Sequence, residues 1–285
     1  MLGFLGPRGT HSERPARFFV QYGPLAGQEA RAYASHVRVL DALESGEVQQ
    51  AVLALENSLE GSVLVTLDRL AVAPLQICAE VTQPIRHAAF AVAPIDFAQV
   101  TEVRSHPQAL AQCRENLHRI FPAAAHIDME STAGAIAYAA HAGDPRVVCV
   151  GALQTGVDAG LCVLQEDIQD VADNVTRFGL ITTSDRRVEI PADGAARYKT
   201  SLLMLLGDDH PGALYEVLRV FAANGVNLSR LESRPTRRGL GSYHFYIDLL
   251  GRPGDRGVAA ALDEIATIAG FTMRMLGSYP CFALE

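Results

Sequence analysis

The sequence has no tryptophan, and Lys199 is the only lysine among its 24 basic residues. Aromatic residues make up only 7%, so Ala, Val and Leu must build the core, and the 49% hydrophobic content is enough for one. No apolar run reaches the roughly 18 residues that a membrane-spanning helix needs. The start, MLGFLGPRGTHSE, has no basic stretch followed by an apolar one, so no signal peptide is expected and the cytoplasm is the expected location. The five cysteines, Cys78, Cys113, Cys149, Cys162 and Cys281, form no CxxC pair, and their odd number fits reduced thiols. The nine histidines form no HxxxH or HExxH motif, so no metal site is expected.

The charge that is there is acidic and uneven. Residues 1–190 hold 14 arginines against 22 acids, and residues 191–285 hold nine arginines and Lys199 against ten acids. The whole formal charge of −8 therefore lies in the N-terminal part. A net acidic surface repels nucleic acid and anionic membrane, so neither is an expected partner. An anion bound by this chain needs a local pocket.

At 285 residues the length suggests two domains. Strand candidates at Leu2–Leu5, Ala51–Leu55, Ala88–Ala93, Ala125–Met129, Val147–Val150 and Phe178–Thr182 alternate with helical patterns at Ser12–Tyr22, Gln108–Phe121 and Ala133–His141. Strand, polar loop and helix in repetition predict an α/β architecture. Residues 184–199 are polar, contain Pro191 and Gly194, and read as a linker. Beyond it, strand Ser201–Leu206 is followed by a turn at Asp208–Pro211 and a helix over Gly212–Ala223. Strands Val226–Ser233 and Ser242–Leu249, helix Val258–Ala269 and strand Thr272–Leu276 complete a βαββαβ order, the ferredoxin-like split βαβ.

Several polar clusters sit where strands end and helices begin. Gly6–Glu13 (GPRGTHSE) is either an anion site at a helix start or an ordinary capped turn. Glu56-Asn57-Ser58 follows an apolar strand, at the end of which open α/β sheets bind ligands, and also reads as a loop of capping residues. Ser105 and Gln112, seven positions apart, could share a helix face about 10 Å apart and touch one polar ligand, or serve as a cap and a solvated side chain. Glu130-Ser131-Thr132 offers an acid with a raised pKa or a first-turn acid. In Asn174–Phe178, Arg177 is a carboxylate ligand or an outward residue on a strand edge. In the C-terminal unit, Gly212-Ala213-Leu214 and Asn227 with Glu232-Ser233-Arg234-Pro235 suit the carboxylate and ammonium of an amino acid, or form a capped helix and a strand stopped by proline.

Taken together and in order, GPRGTHSE, LENSLEGSV, SHPQALAQC, ESTAGAIA, DNVTRF, PGALYEVL, ESRP and LGSYP resemble the prephenate dehydratases that carry an ACT regulatory domain, from Gly6 to Pro280. The resemblance implies a bilobed catalytic domain of the type II periplasmic-binding-protein-like kind over residues 1–185. Its lobes are roughly 1–77 plus 176–185, and 78–175; a linker over 186–199 and the ACT domain over 200–285 follow. The chain then crosses twice between lobes, and the cleft between them is the active site.

The implied reaction converts prephenate to phenylpyruvate, CO2 and water in phenylalanine biosynthesis, with no cofactor. By resemblance Thr176 stands at the leaving hydroxyl, with Glu56 or Glu130 as proton source, and Asn57, Ser105 and Gln112 position the substrate. Arg177, Thr10 and Ser12 hold carboxylates, with Phe178 beside them. A neutral glutamate acting as the acid needs burial to raise its pKa. L-phenylalanine is the implied allosteric effector, bound near Gly212, Ala213, Leu214, Asn227 and Glu232–Pro235 in a homodimer or homotetramer. His11 stands where the family usually has Phe. The nearest rival is an arogenate dehydratase, and a more distant one is a non-catalytic amino-acid sensor.

Overall fold

The coordinates are those of a computed structural model, which describes all residues except 187, 194, 196, 207–209, 237–242, 269 and 285. Asp208, Ser242, Ala269 and Gly194, expected in a turn, a strand start, a helix end and the linker, lie outside the described residues. The chain begins with β1 (Leu2–Leu5), α1 (Glu13–Gln21), β2 (Ala30–Tyr33), α2 (His36–Glu44), β3 (Gln50–Asn57), β4 (Gly61–Ser62), α3 (Leu64–Val72) and β5 (Leu75–Pro84). It continues through β6 (Ala88–Ala91), β7 (Glu102–Ser105), α4 (Pro107–Gln112), α5 (Arg114–Ile120), β8 (Ala125–Asp128), α6 (Thr132–Ala142), β9 (Val147–Gly151), α7 (Leu153–Asp158) and β10 (Cys162–Gln165). The last part holds β11 (Val175–Thr183), β12 (Arg197–Leu206), α8 (Ala213–Ala223), β13 (Leu228–Pro235), β14 (Tyr243–Leu250), α9 (Arg256–Thr267) and β15 (Phe271–Ala283).

Two sheets result. The smaller has five strands in the order β10-β6-β9-β7-β8, and the larger runs β13-β14-β12-β15-β5-β11-β3-β1-β2 with β4 beside β3. Strands β1, β2 and β3 are parallel, and β11 returns antiparallel between β3 and β5. The β5–β11 ladder is where the lobes join. Val175 pairs with Pro84, and Ile85 N donates to Asn174 O at 2.8 Å, so the outgoing and returning crossings run side by side. The expected bilobed α/β plan with a βαββαβ unit after it is what forms. The chain leaves the first sheet after Pro84 rather than near residue 78, because nothing in Leu75–Pro84 interrupts an extended, buried strand. Likewise β12 begins at Arg197, four residues before the expected start at Ser201.

The helix expected over Gln108–Phe121 is two helices, broken at Cys113, whose φ of −116° and ψ of 9° are not helical. Ser131 caps α6, its Oγ accepting from Gly134 N at 2.9 Å. Ser105 does not cap α4. His106 does, with Nδ1 accepting from Gln108 N, while Ser105 ends β7 and its Oγ donates to Val150 O at 2.7 Å.

β15 joins the two halves of the large sheet. Its first part pairs with β12, and Cys281–Ala283 pair in parallel with Glu80–Thr82 of β5. The bend falls at Gly277, φ 153°, where a Cβ would stand 2.1 Å from Ile77 O, so only glycine fits. One face of the C-terminal sheet packs under α8 and α9 through Leu202, Met204, Val217, Phe221, Ile247 and Ile265. Leu203, Tyr246, Leu276 and Tyr279 on the other face enter the core of the first lobe with Leu53, Leu67 and Ile77.

Candidate active site

A cleft of about 650 Å³ lies between the lobes. It is lined by Thr10, His11 and Ser12 after β1, His36 at the start of α2, Asn57 at the end of β3, Glu60 after it, and Thr176 and Phe178 of β11. Across from them stand His87 in the crossing, His106 and Gln112 of the α4 segment, and Glu130 to Thr132 before α6. Among the described lining residues there is no lysine or arginine.

The orientation of Thr176 follows from its neighbours. Asn57 Oδ1 accepts from the backbone N–H groups of Leu59 and Glu60 at 3.0 and 3.1 Å, which fixes the amide. Its nitrogen must then face the other way, donating to Asn174 Oδ1 at 2.6 Å and to Thr176 Oγ1 at 2.9 Å. The Thr176 oxygen accepts from Asn57, so its own hydrogen points elsewhere. Thr176 is 8% exposed and lines the cleft. Asn174 is fully buried and was not singled out in the sequence. The only signal for it is its place in DNVTRF.

Strand alternation sends Glu56 and Arg177 to the opposite face, because successive side chains of β3 and β11 point to opposite sides of the sheet. Thr176 pairs with Asn57, and Arg177 with Glu56. The Arg177 guanidinium donates to Glu56 Oε2 at 2.6 Å, Glu80 Oε2 at 2.6 Å and Asp248 Oδ2 at 2.8 Å. Lys199 Nζ donates to the other oxygen of Glu80 at 2.6 Å, and Ser201 Oγ donates to Asp248 Oδ1 at 2.6 Å. Burial disfavours charge here, yet Glu80 and Asp248 push the Arg177 pKa up, and Arg177 with the Ser201 hydrogen bond holds Asp248 below the usual carboxylate range. Arg177 is therefore not available to a substrate carboxylate, and Glu56 is not an acid facing the cleft.

Other expectations are corrected in the same way. The Thr10 hydroxyl donates to Leu5 O or Pro7 O, at 3.1 and 3.0 Å, so its hydrogen is committed to the loop and it does not donate to an anion. Ser12 makes no capping hydrogen bond and remains in the cleft lining. Ser105 is fully buried under β9 and does not share a face with Gln112. Glu130 lies in the lining and is exposed.

The cleft also brings together two histidines, His11 of the first motif and His87, which no motif singled out. His11 and His87 meet edge to face with ring centroids 5.1 Å apart, and His11 Nδ1 lies 3.5 Å from Gln83 Nε2. Burial, then His87 and Arg14, lower the His11 pKa to about 3, and burial lowers that of His87. His11 Nε2 and His87 Nδ1 are buried with no hydrogen-bond partner among the described residues.

In the C-terminal unit the same alternation divides the ESRP block. Glu232 accepts from Arg230 and Ser62, and Arg234 pairs with Asp68 at 2.9 Å, so both are tied to the first lobe and are not open to an amino acid. Gly212, Ala213 and Leu214 begin α8, Ser233 and Pro235 are exposed, and Asn227 O accepts from Leu250 N.

A two-lobed α/β unit with a polar interlobe cleft, followed by a βαββαβ unit, defines the class of two-lobed α/β proteins that carry a ferredoxin-like C-terminal domain. The family model for prephenate dehydratase matches residues 2–186, and that for the ACT domain matches residues 200–267. The chain belongs to the prephenate dehydratase family. It is 35% identical to the prephenate dehydratase of Bacillus subtilis over 99% of both chains. It is also 35% identical to arogenate dehydratase 2 of Petunia hybrida, over 98% of this chain and 71% of that one. The crystal structure of the Arthrobacter aurescens prephenate dehydratase in complex with L-Phe superposes with a TM-score of 0.82 at 35% identity, covering 98% of this chain and 89% of that one.

Proposed function

We propose that the chain converts prephenate to phenylpyruvate in the interlobe cleft, with the Thr176 hydroxyl as donor to the leaving hydroxyl. The observation that carries this is the Asn57–Thr176 hydrogen bond, which turns the threonine hydrogen away from Asn57. In the reaction the bond from C1 to the ring carboxylate breaks and CO2 leaves. Its electron pair becomes ring π density, the C4–O bond breaks, and the oxygen leaves as water after taking one proton, which the Thr176 hydroxyl passes on from solvent water. Aromatisation supplies the driving force, so positioning and donors placed at the departing oxygen suffice. Gln112, Ser12 and the start of α6 at Ser131 and Thr132 serve as neutral donors to the two carboxylates, helped by the positive ends of α1 and α6.

The division supporting this reading is a catalytic domain over 1–185, a linker over 186–199 and an ACT domain over 200–285. L-phenylalanine acts at the ACT domain, near Leu214 and Ser233, in a homodimer or homotetramer paired along the outer strand β13. Its effect has a physical route, since Asp248 of the C-terminal sheet pairs with Arg177, the neighbour of Thr176, and Lys199 pairs with Glu80, which also pairs with Arg177. A ligand there acts through its differential affinity for two arrangements of that contact.

Purified protein given prephenate is expected to yield phenylpyruvate, at a rate changed by L-phenylalanine. That response is expected to weaken in Leu214→Ala and Ser233→Ala proteins. Turnover of arogenate with none of prephenate overturns the substrate assignment, and a normal phenylalanine response in both variants overturns the effector site.

A further inference from the structure

Glu60 stands in a cleft to which the proposed substrate brings two carboxylates, and its charge works against binding there. Its contacts explain its presence. Glu60 Oε1 accepts from Gln112 Nε2 at 3.0 Å. An ionised carboxylate has no hydrogen to give, so the Gln112 nitrogen must face Glu60 and its oxygen must face away. That oxygen lies 3.0 Å from His87 Nε2. An amide oxygen only accepts, so His87 carries its hydrogen on Nε2. His87 is 3% exposed, and its backbone N–H donates to Gln169 Oε1 at 3.0 Å, which holds the residue in the crossing between lobes. The chain of contacts spans the first lobe, the second lobe and the crossing.

An amide nitrogen has two hydrogens. Glu60 takes one, and the other remains for the cleft. Without its two partners the Gln112 amide can turn over and present oxygen, which repels a carboxylate. We propose that Glu60 and His87 are positioning residues that set the polarity of Gln112, so that its second N–H donates to a substrate carboxylate. The inference rests on reading the cleft as the prephenate site. It explains how a cleft lined by neutral donors tolerates a glutamate. The same residue acts twice, since the Glu60 backbone N–H also fixes the Asn57 amide.

The test is a double-mutant cycle on prephenate turnover, with wild type, Glu60→Ala, Gln112→Ala and the double variant, and with Glu60→Gln alongside. Glu60→Ala is expected to raise KM roughly tenfold with a smaller change in kcat, the loss of one oriented hydrogen bond. Glu60→Gln still accepts through its own carbonyl and is expected to stay within about threefold of wild type. In the Gln112→Ala background, Glu60→Ala is expected to cost nothing further, which marks coupled residues. Glu60 is exposed, and circular dichroism melts check that each variant folds. Full additivity overturns the inference, and so does a Glu60→Gln protein as impaired as Glu60→Ala. A wild-type protein that leaves prephenate unchanged overturns the reading of the cleft and this inference with it.

Discussion

The two faces of the β3–β11 strand pair, one residue apart in sequence, follow opposite electrostatic rules. Toward the cleft stand Asn57 and Thr176, both neutral, their polarity set by backbone N–H groups and by Asn174. Toward the C-terminal sheet stand Glu56 and Arg177, charged, in a cluster where Glu80, Asp248 and Lys199 answer each charge. A saturated ion cluster can tie two sheets together but has nothing left to offer a ligand. A face of neutral groups with unsatisfied donors can receive an anion without first breaking a salt bridge. An arginine placed in the cleft would meet Glu60 and Glu130 and pair with them.

Arg177→Met tests the charged face and carries the largest expected effect. It removes one partner of a buried cluster and leaves Glu80 and Asp248 under-compensated, which costs about 3–5 kcal/mol. The expected result is a loss of unfolding free energy of that size in denaturant titration, with KM for prephenate changing far less. Wild-type stability together with a KM raised tenfold or more would return Arg177 to the cleft and erase the contrast.

Thr176→Ala tests the neutral face. Loss of an oriented donor at a departing oxygen is expected to lower kcat by roughly 10²–10³, about 2.7–4 kcal/mol. Stability should change little, because Asn57 Nδ2 keeps Asn174 as a partner. A fully active variant breaks the assignment, and a kcat loss explained by unfolding makes both faces structural.

The sequence made much of this legible, through particular residues. The apolar runs at Leu2–Leu5 and Val147–Val150 are strands, and the βαββαβ order is correct because each helix carries its own periodicity and turn residues. The division of TRF and ESRP between two faces was written in the period-two geometry of strands, yet reading each motif as one cluster hid it. Thr176 and Arg177 are neighbours in the chain and on opposite sides of the sheet. The reach of β15 into the catalytic sheet has no local signal except Gly277, because its pairing with β5 joins residues about 200 positions apart. Glu60 and His87 were missed for a related reason. Their roles come from Gln112, which the fold brings from another lobe.

The smallest effect separates the faces by pH. The His11 pKa is about 3 in the folded chain against an ordinary value of 6.5, through burial first and then His87 and Arg14. As pH falls below 6.5 the unfolded chain binds a proton that the native chain does not. Stability therefore drops, by about 1.4 kcal/mol per pH unit for this one residue, until pH nears 3. Burial gives His87 and His36 the same direction. On the other face Asp248 is held below 3.8, so its contribution is present above that value and is lost only at lower pH. Between pH 6.5 and 5.0 the slope thus comes from the cleft histidines and not from Asp248. His11→Phe is expected to reduce the stability lost across that interval by roughly 2 kcal/mol, measured by denaturant unfolding at the two pH values, while Asp248→Asn leaves the interval unchanged. An unaltered slope in His11→Phe would mean that His11 titrates normally in the folded protein, and the cleft would then carry a cation at mildly acid pH after all.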